Sequence, residues 1–343
     1  MTERITYRPW SNIGDQPVYL FCLRNSSGAY IEVSNYGATL VNIMVPDRAG
    51  QLGSVVLGFA DLYSYLKDNC YIGSTIGRYA NRISNARFEL NEETYQLDAN
   101  DGPNSNHSGA AGFNSKMFGF EIHYNELVLT LDDTDDSGGF PGSLNLRVTY
   151  NWTDDNQLTM RYQAVADADT YVNLTNHAYF NLSGKADILG HQLTISGRSI
   201  VESDRNYIPT GNIVEAGELL FKGNTIADKI GHKPEVGDGI NSYYILDDEL
   251  KVQNRFSVKL SEQTSGRLLT IDTSYPGLFV YTGDYLLSAQ PGHQGDSYQP
   301  FGGLCLECQL YPDAMNRPEF PSALLPKHQV YDQYIKFKFG TDQ

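Results

Sequence analysis

The chain has 343 residues and a net charge of −16, from 25 Lys and Arg against 41 Asp and Glu. That length supports a large core, and all-β sandwiches of this size fold as one unit, so residues 1–343 are expected to form a single domain. The acidic balance argues against a nucleic-acid or anionic-membrane surface, both of which need clustered Lys and Arg. Residues 1–7 carry no apolar h-region, and no apolar run is long enough to span a bilayer. With Cys22, Cys70, Cys305 and Cys308 read as free thiols, the simplest expectation is a cytoplasmic protein.

Taken in chain order, the first regular signal is helical: residues 60–66 make about two turns. Gly77-Arg78-Tyr79-Ala80-Asn81-Arg82-Ile83 follows, with two arginines able to fork onto hydroxyls or a carboxylate; taken alone, a surface salt bridge is the better reading of them. Residues 87–90 and 94–97 flank the polar turn 91–93 as a hairpin. The loop 101–109 is turn-rich and holds His107. The acidic run 132–139 has the composition of a calcium loop. Its twelfth position from Asp132 is Ser143, however, and strands flank it, so a solvated turn is expected. Leu144, Leu146, Val148 and Tyr150 alternate with polar residues, as do Leu158, Met160, Tyr162 and Ala164 after a turn at 154–156. A further helical turn is expected near 225–230. Alternation returns at 256–260 and at 334–339. Short half-buried strands with few short helices predict an all-β, antiparallel sandwich.

Two strands carry the chemistry. In residues 172–182, Val172, Leu174, Ala178, Phe180 and Leu182 point one way, with Asn176 the one polar intruder. Asn173, Thr175, His177, Tyr179 and Asn181 point the other. A polar face around one imidazole suits a hydroxyl-rich ligand. A hydrogen-bonded structural histidine is the alternative. Glu307 lies in Leu304-Cys305-Leu306-Glu307-Cys308-Gln309-Leu310, and a carboxylate amid so apolar a strand is costly unless paired or used. Burial raises its pKa toward the range of a general base working near neutrality; a buried structural acid remains open. Cys305 and Cys308 form a C-x-x-C, but a period of two puts them on opposite faces, which argues against a shared metal or a disulfide. His123, His191, His232, His293 and His328 have no comparable setting and read as surface or structural.

These pieces resemble, in order and in kind, the aldose 1-epimerase (galactose mutarotase) family. The resemblance rests on residues 77–83, 104–109, 139–142, 175–182, 306–309 and 311–318, and spans about residues 35–339. It implies a large β-supersandwich binding a sugar on a broad concave sheet face. It also implies interconversion of the α and β anomers of a free aldohexose, with no metal or organic cofactor. Carried onto matching positions, Glu307 becomes the base and His177 the acid, while His107, Arg82, Asn81 and Asn241 contact the sugar. The expected partner is a monosaccharide, with the chain a monomer or homodimer. Two departures stand out. The family carries an aspartate in a Gly-aromatic-Asp-His stretch, where this chain has Gly239-Ile240-Asn241-Ser242. The His107 context, Asn-His-Ser-Gly, also differs from the family's His-Gly-Gly. Asn241 keeps an acceptor oxygen but loses the charge, which bears on sugar preference. The rival readings are a silent sugar-binding module, an epimerase for xylose, maltose or a phosphosugar, and a glycoside hydrolase. The last usually needs two carboxylates, and only Glu307 has a convincing setting.

Overall fold

A computed structural model describes residues 4–293 and 295–342. The first three residues of the N-terminal stretch considered above therefore lie outside the described chain. The alternating segments form three main sheets, and every pairing between their strands is antiparallel. A five-stranded sheet takes Ile5–Ile13, Gln16–Arg24, Tyr30–Ser34, Thr39–Pro46 and Leu52–Ser54 in chain order. The nine-stranded sheet runs, in space, Gly119–His123, Glu126–Asp133, Leu144–Trp152, Gln157–Ala166, Val330–Thr341, Arg267–Thr273, Val258–Ser261, Gln192–Ile195 and Lys222–Thr225. The six-stranded sheet runs Tyr179–Phe180, Leu304–Gln309, Gly277–Tyr281, Asn241–Ile245, Ser199–Ser203 and Pro209–Glu215.

The period-two residues do what their pattern requires. Leu144, Leu146, Val148 and Tyr150 turn inward with Leu158, Met160, Tyr162 and Ala164, all buried, and the last strand adds Ile335, Phe337 and Phe339. The same cluster takes Phe21, Ile31, Val33, Leu40 and Ile43 from the five-stranded sheet and Leu278, Val280, Leu304, Leu306 and Cys308 from the six-stranded one. One continuous core thus joins all three sheets, and the outer face of the six-stranded sheet is left for other uses.

Among the described residues, three short helices accompany this all-β architecture. The two expected ones appear as Leu62–Leu66 and Ala227–Ile230. A third, Asp248–Asn254, was not anticipated, although its signals are in the sequence. Asp247 caps it by accepting from Leu250 N, and Asp248 and Glu249 sit in the first turn. Among the described residues no helix is long and apolar enough to cross a membrane.

Three expectations are corrected. Residues 172–182 are not one strand: the chain pairs briefly at Thr175–Asn176 and Tyr179–Phe180, each time with a different partner. Nor is Arg78 at the surface or the acidic run fully solvated. Arg78 and Asp133 are both buried. Arg78 Nη2 and Nε donate to Asp133 Oδ2 at 2.6 and 3.1 Å, and Nη1 donates to the carbonyls of Pro141 and Gly142. A guanidinium fork that binds one carboxylate and two carbonyls ties the 77–83 segment to the start of the acidic run and to the residues just beyond it. Lys116 Nζ reaches the other oxygen of Asp133 at 3.2 Å. Removing one member of a buried pair leaves a desolvated charge behind. Arg78→Ala is therefore expected to lower unfolding free energy by about 3–5 kcal/mol, read from urea denaturation.

Candidate active site

Glu307 owes its position to strand register. On Leu304–Gln309 the even-numbered residues enter the main core, while Cys305 and Glu307 face the other way. The two cysteines therefore lie on opposite faces, both buried and free. Pairing sets Tyr179 opposite Cys305, Cys305 opposite Tyr281, and Tyr281 opposite Asn241, which makes one cross-strand row. The next row is Glu307, Phe279 and Tyr243. Gly303 allows the first row to close up, since a Cβ there would lie 2.7 Å from that of Tyr179.

His177 stands where the chain passes between two pairings. Thr175–Asn176 pairs with Thr75–Ile76, and Tyr179–Phe180 pairs with the Leu304–Gln309 strand. The backbone of His177 is pinned between them: its N–H donates to Ser74 O and its carbonyl accepts from Gly73 N, both at 2.9 Å. His107 comes from the 101–109 loop, which is joined to the 77–83 segment by pairing of Ser105–Asn106 with Arg82–Ile83. Its ring Nδ1 accepts from the Asn81 backbone N–H at 3.2 Å. The two imidazoles meet edge to face at 5.4 Å between ring centres, with Tyr71 beside both and Tyr179 5.0 Å from His177.

His177 Nε2 lies 3.7 Å from Glu307 Oε1, and both side chains are almost fully buried. Glu307 Oε2 has no hydrogen-bond partner among the described residues. Burial dominates the electrostatics. It pushes the Glu307 carboxyl up to about 8, with Arg82 opposing the shift, and pushes His177 down to about 4. His107 is also driven well below its ordinary value, by burial first and then by His177 and Arg82. The pair therefore rests as a neutral acid beside a neutral imidazole near pH 7.

Arg82 Nε donates to Asp101 Oδ2 at 2.7 Å, and its guanidinium lies 5.0 Å from the centre of the Tyr207 ring. All six residues expected at the site, Glu307, His177, His107, Arg82, Asn81 and Asn241, line one cavity of about 480 Å³. Of the polar face at 172–182, only His177 and Tyr179 reach it. Asn173 instead donates to Ala80 O and Leu310 O and accepts from Leu310 N, and Asn181 donates to Gly302 O and Lys185 O; both bind backbone. The sequence reading passed over Tyr71, Phe279, Tyr281, Tyr207 and Tyr285. Phe279 and Tyr281 follow from register once their strand is paired with that of Glu307, but the loop tyrosines carry no local signal.

His107, His177 and Glu307 bring nitrogen and oxygen atoms within 4.8 Å of one another, close enough to consider a metal. His107 argues against it. Its Nδ1 is occupied by the Asn81 N–H, so its proton sits on Nε2, and neither nitrogen offers a free lone pair. The cluster is built for hydrogen bonds and proton movement.

An aldose 1-epimerase family profile matches residues 19–338. The chain is similar to galactose mutarotase of Rattus norvegicus, at 35% identity over 96% of each protein, and to aldose 1-epimerase of Haemophilus influenzae, at 33% identity over 94% of this chain and 96% of that one. A Caenorhabditis elegans aldose epimerase homologue superposes with a TM-score of 0.89 at 28% identity, covering 94% of this chain and 99% of that one. The profile and the relatives together define an enzyme of the carbohydrate epimerase class. The chain belongs to the aldose 1-epimerase family.

The raised Glu307 pKa has a stability consequence. An unfolded glutamate ionises near 4.5 and the folded one near 8. The stabilisation from keeping it protonated is thus full below about 4.5 and is lost as pH rises through about 8. Glu307→Gln is expected to raise Tm relative to the parent protein increasingly from pH 5 to 8, measured by scanning calorimetry across that range.

Proposed function

We propose that the enzyme interconverts the α and β anomers of a free aldohexose such as glucose or galactose. The observation that carries this reading is the buried Glu307–His177 pair, 3.7 Å apart with pKa values displaced in opposite directions, at the floor of a polar cavity. As sugar hydroxyls come to donate to the carboxyl, its proton passes to His177 Nε2 and leaves Glu307 ionised. Glu307 then takes the proton from the C1 hydroxyl. The C1–O5 bond breaks, its electrons pass to O5, and O5 receives the proton from His177. The open aldehyde turns about C1–C2. In the return step O5 attacks the other carbonyl face and gives its proton back to His177, while O1 takes its proton from Glu307. His107 and Arg82 hold sugar oxygens through N–H groups.

Asn241 bears on the choice of sugar. It shares the row of Tyr281 and Cys305, where a carboxylate would accept more strongly from a hydroxyl. A second reading rests on Arg205, which lines the cavity and forms no ion pair with a described residue. It favours a sugar bearing an anionic group, and glucose 6-phosphate tested as substrate and as competitor separates the two readings.

Polarimetry of freshly dissolved α-glucose and α-galactose tests the leading reading directly: the enzyme should speed the approach to equilibrium well beyond the buffer rate, and unchanged rates with both would overturn it. Glu307→Gln should lower kcat by about 10²–10⁴-fold. The profile of kcat/KM against pH should be a bell, falling below about 4, where the pair gains a second proton, and above about 8, where it loses its only one. Asn241→Asp should lower KM for the preferred hexose by about fivefold, in line with a charge-assisted hydrogen bond, measured from initial anomerisation rates.

A further inference from the structure

Glu307 and His177 line an open cavity and yet are only 2% and 5% exposed, so a group on the cavity side shields them. Tyr71 is placed to do so. Its ring, half-exposed itself, lies against the His177 ring at 5.8 Å and 30°, and meets His107 edge to face at 4.8 Å. Among the described residues it is the one tyrosine in contact with both imidazoles. The backbone holds it there against its own preference. Tyr71 has a φ of 59°, in the left-handed region that a residue with a bulky side chain avoids. Such a conformation persists only where its surroundings impose it. Here Asp68 does. Its carboxylate straddles the tyrosine, Oδ1 accepting from Cys70 N at 2.9 Å and Oδ2 from Ile72 N at 2.7 Å. The Cys70 carbonyl accepts from the Tyr179 hydroxyl at 3.1 Å, the Tyr71 carbonyl accepts from Ser74 N at 3.0 Å, and Ile72 is buried among Leu20, Val41 and Phe59. Gly73 N and Ser74 O, two and three residues on, are the groups that pin the His177 backbone. One short turn thus fixes both the main chain of the histidine and the ring that lies against its imidazole.

We propose that Tyr71, clamped by Asp68, is a positioning residue that covers the Glu307–His177 pair against water and fixes the angle between the two imidazoles. The inference rests on the epimerase reading for its kinetic consequence and on the geometry of the turn for its substance. Burial is the leading cause that holds His177 down to about 4, so an uncovered ring returns toward its ordinary value of 6.5. The acid limb of the pH profile follows it upward. The Tyr71 hydroxyl makes no hydrogen bond to a described residue, so the ring is the working part. Facing His177 are Glu307 and Cys305 from the floor strand, Tyr179 from its own segment and His107 from the 101–109 loop. Asp68 and Cys70 flank Tyr71 on the turn, and the Arg82–Asp101 pair acts on it from the opposite side. Replacing Tyr71 changes none of these groups, so a moved acid limb reports water at His177.

The test combines profiles of kcat/KM against pH with NMR titration of the His177 ring. Tyr71→Gly removes the cover while accepting the left-handed backbone, so it should fold. It should move the acid limb and the His177 titration together from about 4 toward 6.5. It should also lower kcat at pH 7 by about 10²-fold as the two rings lose their alignment. Tyr71→Phe keeps the ring and should restore the parent profile. Asp68→Asn keeps one of the two clamping bonds, since an amide nitrogen cannot accept, and should shift the limb upward in part. Loss of a negative charge alone would shift it downward, so the direction separates a loosened turn from a changed charge. In the parent protein, nuclear Overhauser contacts should join Tyr71 to both imidazoles, and their absence would overturn the proposal without any variant. So would a folded Tyr71→Gly with the parent acid limb, a Tyr71→Phe as impaired as Tyr71→Gly, or a downward shift in Asp68→Asn. If the parent protein anomerises no sugar, the epimerase reading fails, yet the His177 titration and the ring contacts still decide whether Tyr71 is its cover.

Discussion

Burying one carboxyl group without a charged partner is the constraint on which the rest of this site depends. Glu307 sits among residues that offer its Oε2 no hydrogen bond, and the cost of ionising it there raises its pKa to about 8. The same dryness pulls His177 down to about 4. Neither shift requires a strong local charge: burial is the leading cause of both, and Arg82 is a secondary influence on Glu307. A wetter pocket would return each group toward its ordinary value, and the two would then prefer to stand as an ion pair in water. Dryness is supplied by the sandwich, since the Glu307 strand is buried along its whole length and packs its other face into the core shared by all three sheets.

Much of this was legible in the sequence, and the reasons differ residue by residue. Glu307 was visible because an acid in an apolar period-two strand has few inexpensive explanations. His177 was visible because of the asymmetry of residues 172–182, though for a partly mistaken reason. Asn173 and Asn181 are polar in order to satisfy backbone groups where the chain changes pairing partners, and they do not line the cavity. A sequence pattern cannot separate a side chain that binds ligand from one that binds a carbonyl. Arg78 illustrates the same limit: its fork onto Asp133, Pro141 and Gly142 depends on bringing together segments more than fifty residues apart. The helix Asp248–Asn254 has an N-cap and an acidic first turn, but it buries no residue, so it leaves no apolar stripe of helical period in the sequence.

The aromatic wall was the least legible part. Phe279 and Tyr281 become predictable only when their strand is set in register against Leu304–Gln309, and Tyr71, Tyr207 and Tyr285 come from loops. In a chain with 24 tyrosines, ordinary strand composition conceals the few that face a ligand. The Tyr207 and Tyr285 hydroxyls meet at 3.2 Å, and the Arg82 guanidinium lies over the Tyr207 ring, so these loop residues form a wall through contacts with one another.

The cross-strand row Tyr179, Cys305, Tyr281 and Asn241 has a consequence for how such an enzyme can change over time. Four strands contribute one residue each, and each stands on the cavity side of the sheet only because its neighbours hold their register. A single-residue insertion or deletion in any of them would turn its contribution toward the core and bring the adjacent residue out in exchange. Change at this floor is therefore confined to point replacement. Changes in chain length are left to the loops around the rim, such as the one carrying Arg205, Asn206 and Tyr207, where lineages can vary the reach of the cavity without disturbing its acid and base.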